Sequence, residues 1–278
     1  MSGAAPAVES PRPAQVPRAA AKSRTADVIA KSAPPIVVFV VIVILWEIVA
    51  GGPGRRVIPA PSAIYNAGAQ NFDYLQRSAL QTIYEALGGL LLGSIAGVLV
   101  AFATARWVTA RDTLLPVAIA TSAVPIIAVA PILNNWFGVL NPVSKMMMAA
   151  LLVFFPVMIN VTRGLVEVQP ASVELMRSYA ATEFAVLRKL RVPNMLPFLF
   201  TALKVGATLA FIGAIVGEYF GGTSDVLGRV VLTAMSSGSY DLAWAGILIG
   251  AVGAIVAYLV ISAIERVAIP WHSSMRAE

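Results

Sequence analysis

Apolar residues in this chain run in long stretches instead of alternating with polar ones. Six stretches approach the ~20 residues that a helix needs to cross a bilayer core. They are residues 34–52, broken only by Glu47; 86–105; 113–133; 143–162, with Lys145 at its edge; 197–220, containing Lys204 and Glu218; and 242–264. The pattern predicts an all-α integral membrane protein with about six transmembrane helices in a polytopic bundle. The transmembrane domain covers residues 34–270. Residues 1–33, rich in Ala, Pro and Arg, show no apolar periodicity and read as a disordered basic tail. Residues 271–278 form a second short tail. A cleaved signal peptide ending near Ala50 is the rival reading of the first stretch, but its charged leader would be unusually long.

Charge orients the bundle. Only 12% of the 278 residues are charged, against about 25% in a soluble domain. With the N-terminus in the cytoplasm, the inner segments hold fourteen Lys and Arg residues. The outer segments hold Arg55, Arg56, Arg77, Lys145 and Arg229. The positive-inside rule selects this topology, with both tails cytoplasmic. The net charge of +6 is therefore a topology signal and gives no reason to expect a nucleic-acid partner. There is no Cys, and the single His is His272, so neither a metal site nor a catalytic constellation is expected. No cofactor is implied.

Small residues mark where helices can approach closely in lipid. Gly89, Gly93 and Gly97 recur at four-residue spacing, as do Gly213, Gly217 and Gly221, and Gly246 and Gly250. The third stretch carries Pro116, Pro125 and Pro131, each lacking a backbone donor. Interrupted helices of this kind often line transport pathways. Pro125, Pro131 and the nearby Asn134 are therefore candidates for a translocation path, with kinks that merely help packing as the alternative. Glu47 and Glu85 are expected to reach the headgroups from the outer ends of their spans. Lys204 and Glu218 lie too far apart along one helix to pair. Snorkelling accounts for both, and the sharper reading gives Glu218 a place at an outer gate. Asn160 is a candidate for bonding a neighbouring helix. No two carboxylates stand in series along a span, so no proton relay is expected.

The segment from Glu174 to Pro193, ELMRSYAATEFAVLRKLRVP, is the most charged outside the N-terminal tail. It predicts two short helices at an angle. Ser172 can cap the first and Thr182 the second. Phe184, Leu187 and Leu190 form an apolar stripe on the second, with Arg188, Lys189 and Arg191 elsewhere around it. Pro193 and Pro197 are expected to stop that helix. Similarly, Ser62 in the outer IPAPS segment is expected to cap an interfacial helix. The cytoplasmic segment suits a groove on a soluble partner; an amphipathic helix on the inner leaflet is the alternative.

These residues resemble the EAA loop of permease subunits from binding-protein-dependent ABC importers. That motif runs Glu-Ala-Ala, three residues, Gly, nine residues, Ile, one residue, Leu-Pro. Here Glu174, Leu175 and Met176 form the first triplet, Ala180 stands at the Gly position, and Leu190 to Pro193 close the motif. Ala in place of Gly implies a turn that is either not left-handed or strained. Residues 124–145 (VPIIAVAPILNNWFGVLNPVSK) and 204–222 (KVGATLAFIGAIVGEYFGG) are similar to the same family. They look like the group handling sulfonates, taurine, nitrate, riboflavin and thiamine-precursor pyrimidines. LMRSYAAT with FIGAIVGEYFGG looks most similar to the precursor and riboflavin members.

The resemblance implies a loop, residues 170–197, that docks on an ABC ATPase subunit, with Glu174, Arg177, Ala180, Ala181 and Pro193 in or beside the contact. It also implies a second permease copy, an extracytoplasmic substrate-binding protein, and a multi-pass location in the inner membrane. The chain lacks the G-x-x-x-x-G-K-[ST] phosphate loop, so ATP hydrolysis is expected on a separate chain and this one is expected to be no enzyme. A gradient-driven secondary transporter is the rival of another class. It would call for buried carboxylates or internal repeats.

Overall fold

In a computed structural model, residues 24–50 and 57–270 are described, and all regular structure among them is helical. Helix α1 spans Arg24–Ala50, α2 Pro61–Gln70, α3 Phe72–Arg106, α4 Val108–Ser122 and α5 Ile126–Phe137. Then come α6 Pro142–Val166, α7 Pro170–Ser178, α8 Glu183–Val186, α9 Val192–Phe220, α10 Leu227–Ser236 and α11 Tyr240–Ala268. The boundary expected at residue 33 falls inside α1. The rest of the basic tail, the C-terminal tail and most of the small-residue stretch after α1 lie outside the described residues.

Among the described residues, four helices are long and apolar enough to cross a membrane: Phe72–Ala105, Pro142–Val166, Glu183–Phe220 and Tyr240–Ala268. The expected third span is not one helix. Its two parts, Pro116–Ser122 and Ile126–Phe137, meet at 91°. Pro125 causes the break. It has no N–H to continue α4, sits at φ −62°, ψ 119°, and starts α5 by accepting from the Ala128 N–H at 2.9 Å. Alone, the 12 residues of α5 rise about 18 Å, short of the ~30 Å hydrocarbon core. The first expected span contributes the shorter apolar stretch Pro34–Ala50. The six expected spans thus become four unbroken ones, one bent one and this shorter helix.

Helix α6 is the axis of the bundle, with α3 on one side and α9 on another. The glycine stripes make this possible. A Cβ on Gly89 would lie 2.3 Å from the Ala149 Cβ, and one on Gly93 would lie 2.4 Å from the Ala150 carbonyl oxygen. On α9, a Cβ on Gly213 would lie 2.6 Å from the Ala149 Cα. Glycines on two helices therefore let both press on one stretch of α6. Below that level Val153, Val157, Val161 and Leu165 of α6 are fully buried. The Thr104 and Thr162 hydroxyls bond one another at 2.9 Å across the buried α3–α6 seam.

A second cluster closes the far end. Ile64 of α2, Leu75 of α3, Val230 of α10 and Ala245 of α11 pack together, with Trp46 and Trp244 against them. Helix α1 is otherwise exposed over most of its apolar surface. Glu47 does not merely reach for headgroups. Its carboxylate accepts from the Ser62 N–H at 3.0 Å and from the Ser62 hydroxyl at 2.6 Å, holding α1 to the first turn of α2. Ser62 is therefore not the cap of α2, which begins at Pro61 after Ala60.

Replacing Gly93 by Val is expected to separate α3 from α6, because the new side chain meets backbone that cannot move aside. Overpacking of this kind costs about 1–3 kcal/mol or more. Gly246→Ala, whose Cβ would meet only side-chain methyl groups, of Val231 at 3.3 Å and Val230 at 3.7 Å, is expected to be tolerated. Thermal unfolding of the detergent-purified chain checks both.

Candidate functional site

The connection between α6 and α9 is built as a rigid elbow. Helix α6 ends at Val166, and α7 starts at Pro170 after a three-residue turn; Gln169, not Ser172, stands at the N-cap position, and its side chain makes no capping bond. Helix α7 has no buried residue. Its end has the full hydrogen-bond pattern of a Schellman turn: the Ala181 N–H donates to the Met176 carbonyl at 3.1 Å and the Ala180 N–H to the Arg177 carbonyl at 2.9 Å. Ala180 holds the left-handed position, at φ 52°. A glycine is the usual occupant there, so the expected strained turn is what forms. Arg177 then reaches across the turn to Glu183 at 3.2 Å.

Thr182 caps the next helix as expected, its hydroxyl accepting from the Ala185 N–H at 3.3 Å. That helix does not stop at Pro193 or Pro197. It runs from Glu183 to Phe220 as 38 continuous residues. A π-turn over Leu187–Arg191 widens the backbone just before Pro193 and absorbs the donor that proline lacks. The second loop helix is therefore the end of a membrane span. Its apolar stripe also divides. Leu187 packs on the core, while Phe184 stays 69% exposed.

Asn194 locks the elbow. Its side-chain amide donates to the Gly164 carbonyl at 2.8 Å and the Glu167 carbonyl at 3.2 Å, two groups at the α6 end that lack helical partners. Gly164 makes room, since a Cβ there would lie 2.6 Å from the Met195 Cα. Nothing in the sequence signalled this bond; Asn194 lies 30 residues from Gly164.

At the opposite end of the bundle, three charged residues expected at edges turn inward. Glu85 of α3, Lys145 of α6 and Glu218 of α9 are 2%, 1% and 0% exposed. The Glu218 carboxylate accepts from the Gly228 N–H at 2.7 Å, and the Thr82 hydroxyl accepts from the Leu227 N–H at 3.0 Å. Together they cap the start of α10, whose first N–H groups have no helical partner. Lys145 donates to the carbonyls of Val139 and Asn141 in the α5–α6 turn. Snorkelling is thus overturned for Glu218 and Glu85. It is overturned for Lys204 too, which pairs with Glu265 of α11 at 2.7 Å. Asn160 bonds the Pro156 carbonyl of its own helix, not a neighbour.

The proposed path residues separate. Asn134 is buried beside Gly221, near the Glu218 end, with its Oδ1 unpartnered. Pro125 lies at the opposite end of α5, and both Pro125 and Pro131 are exposed. Among the described residues, no group of three or more His, Cys, Asp or Glu could hold a metal ion.

A polytopic helical bundle, basic at one end and carrying a helical elbow there, defines a membrane transport subunit. The chain belongs to the family of binding-protein-dependent transport system inner membrane components, whose model matches residues 89–270. It is a multi-pass protein of the inner membrane and an importer permease. It is 31% identical to a probable ABC transporter permease protein of Haemophilus influenzae over 77% of this chain and 88% of that one. It is 29% identical to the formylaminopyrimidine transport permease of Halalkalibacterium halodurans over 86% of this chain and 95% of the relative. It is also 29% identical to the riboflavin transport system permease of Chloroflexus aurantiacus over 86% and 90%.

Two substitutions test the elbow. Ala180→Gly is expected to relieve the left-handed strain and stabilise the turn by up to about 1 kcal/mol, seen as slower hydrogen exchange at the Ala181 amide. Asn194→Leu leaves two carbonyls without their donor, a loss of about 1–3 kcal/mol. It is expected to speed proteolysis at Arg177 in the folded protein.

Proposed function

We propose that this permease couples to a separate ABC ATPase through α7, and that two copies enclose a path for a small organic solute handed over by an extracytoplasmic binding protein. The observation that carries the coupling role is the elbow itself. A nine-residue helix with no buried residue stands between two main spans, with Leu175 58%, Tyr179 79% and Phe184 69% exposed. Exposed apolar side chains beside charges on a braced helix suit a cleft on a soluble partner.

The roles follow from the chemistry. Glu174 and Arg177 supply charge on α7. Ala180 and Ala181 form the tight turn that lets the helix enter a cleft without a bulky shoulder. Pro193, with the π-turn before it, joins the docking segment to α9. ATP hydrolysis belongs to the partner chain.

The solute path runs beside α5. Its exposed Pro125 and Pro131 face outward from the single copy, where a second copy would complete the wall. Asn134 supplies a polar group at the end near Glu218. Glu218 cannot touch solute while it caps α10, so its part in gating is to hold α10 in place. A heterocycle of the thiamine-precursor pyrimidine or riboflavin kind is the favoured solute. The support is the near-full-length match to relatives named for those substrates. A relative named for taurine matches over 76% of its length.

Glu174→Lys reverses a charge on the docking helix without touching the bundle. It is expected to lower receptor-stimulated ATP hydrolysis and uptake in proteoliposomes by about tenfold or more, equivalent to about 1.4 kcal/mol of lost contact. The thermal stability of the permease should not change. Unchanged stimulation and uptake would overturn the docking role. Uptake of radiolabelled formylaminopyrimidine, riboflavin and taurine by the reconstituted system decides the solute class.

A further inference from the structure

The buried cluster at the Glu218 end contains a chemical mismatch. Glu85 and Glu218 come from different helices, yet their carboxyl groups lie within hydrogen-bonding reach of one another. Each keeps one oxygen, Oε2 of Glu85 and Oε1 of Glu218, buried and without a donor. The other oxygens are occupied: Gln81 donates to Glu85 Oε1 at 3.2 Å, and the Gly228 N–H donates to Glu218 Oε2 at 2.7 Å. The cation that both carboxyls face is Lys145, and its ammonium donates to the Val139 and Asn141 carbonyls.

Two carboxylates and one ammonium would leave a net negative charge in a buried, membrane-embedded site, which is costly. Two carboxyl groups in reach of one another, each with a buried oxygen that lacks a donor, repel unless a hydrogen lies between them. Carboxyl pairs held this close accommodate one proton, because both cannot ionise together.

We infer that Glu85 and Glu218 form a proton-binding site, sharing one proton in an O–H···O bridge between α3 and α9. The bridge joins an acid to its conjugate base and so ranks among the stronger hydrogen bonds. With the proton in place the cluster is neutral, one carboxylate balancing Lys145. The bridge also fixes the Glu218 carboxylate against α10. The proton is thus part of the clasp that seats α10 on α3 and α9. No transfer along a chain is involved: the remaining partners are the Thr82 hydroxyl, the Gln81 amide and backbone groups.

Infrared spectroscopy of the full chain in lipid vesicles at neutral pH tests this directly. The wild-type protein is expected to show the carbonyl band of a protonated carboxylic acid, and carbon-13 labelling of glutamate should move it. Glu85→Gln and Glu218→Gln should each abolish the band, because the remaining carboxylate then accepts from the new amide. Both variants should melt near the wild type, whereas Glu85→Leu and Glu218→Leu melt several degrees lower. Absence of the band from the labelled wild type overturns the proposal whether or not any variant folds. So does its persistence in both glutamine variants, or its loss in Glu265→Gln.

Discussion

The closeness of α6 to both α3 and α9 is the constraint on which the rest of the bundle depends. In lipid no water is driven out when helices meet, so association rests on packing and on hydrogen bonds. Packing gains are short-range, and one methyl group at the seam abolishes them. A Cβ added at Gly89 would lie 2.3 Å from Ala149 of α6, and one added at Gly213 would lie 2.6 Å from it. A side chain at either position would open a gap along that whole pair of helices. This contact aligns Glu85, Lys145 and Glu218 at one end. At the other it brings Asn194 to the α6 terminus.

Close approach has a second consequence. It turns several charged side chains toward partners within the protein. Lys204 and Glu265 solve this with a direct ion pair. Glu47 solves it at the membrane edge by capping α2. The Glu85, Lys145 and Glu218 cluster needs more, because its charges do not cancel and its ammonium turns to backbone carbonyls. The two solutions differ in kind. An ion pair between two helices survives small sliding motions. A cap on the first N–H groups of α10 breaks when α10 shifts by little more than a bond length, so this end of the bundle tolerates little displacement of α10.

The glycine spacing and the capping Thr182 were readable in the sequence because each rule is local. A four-residue repeat lies on one helix face, and a cap acts within one turn. The charged residues were misread for the opposite reason. Glu218 meets Glu85 across 133 positions and Lys204 meets Glu265 across 61, and no local pattern signals such pairings. Taken alone, each charge near a span end fits snorkelling equally well. The prolines announced disturbed helix in the third stretch, but their number does not decide between a kink and a right-angle turn. Pro193 misled because a π-turn can precede it and keep the helix going. Ala180 was legible in part: the motif put glycine there, and the φ of 52° gives the reason.

The proposed coupling role of the elbow rests on continuity. A docking helix on a flexible tether would move without moving the span behind it. Here α7 is joined to α8 through a turn with two backbone bonds and an ion pair. The helix starting at Glu183 is the same rod that ends at Phe220, about 57 Å away at 1.5 Å per residue. Asn194 ties that rod to the end of α6. A displacement of α7 would therefore be passed to α6 and α9 together. The far end of that rod carries Glu218, which caps α10. A displacement at the elbow thus reaches the clasp through covalent helix and glycine-packed backbone, with no compliant loop between them.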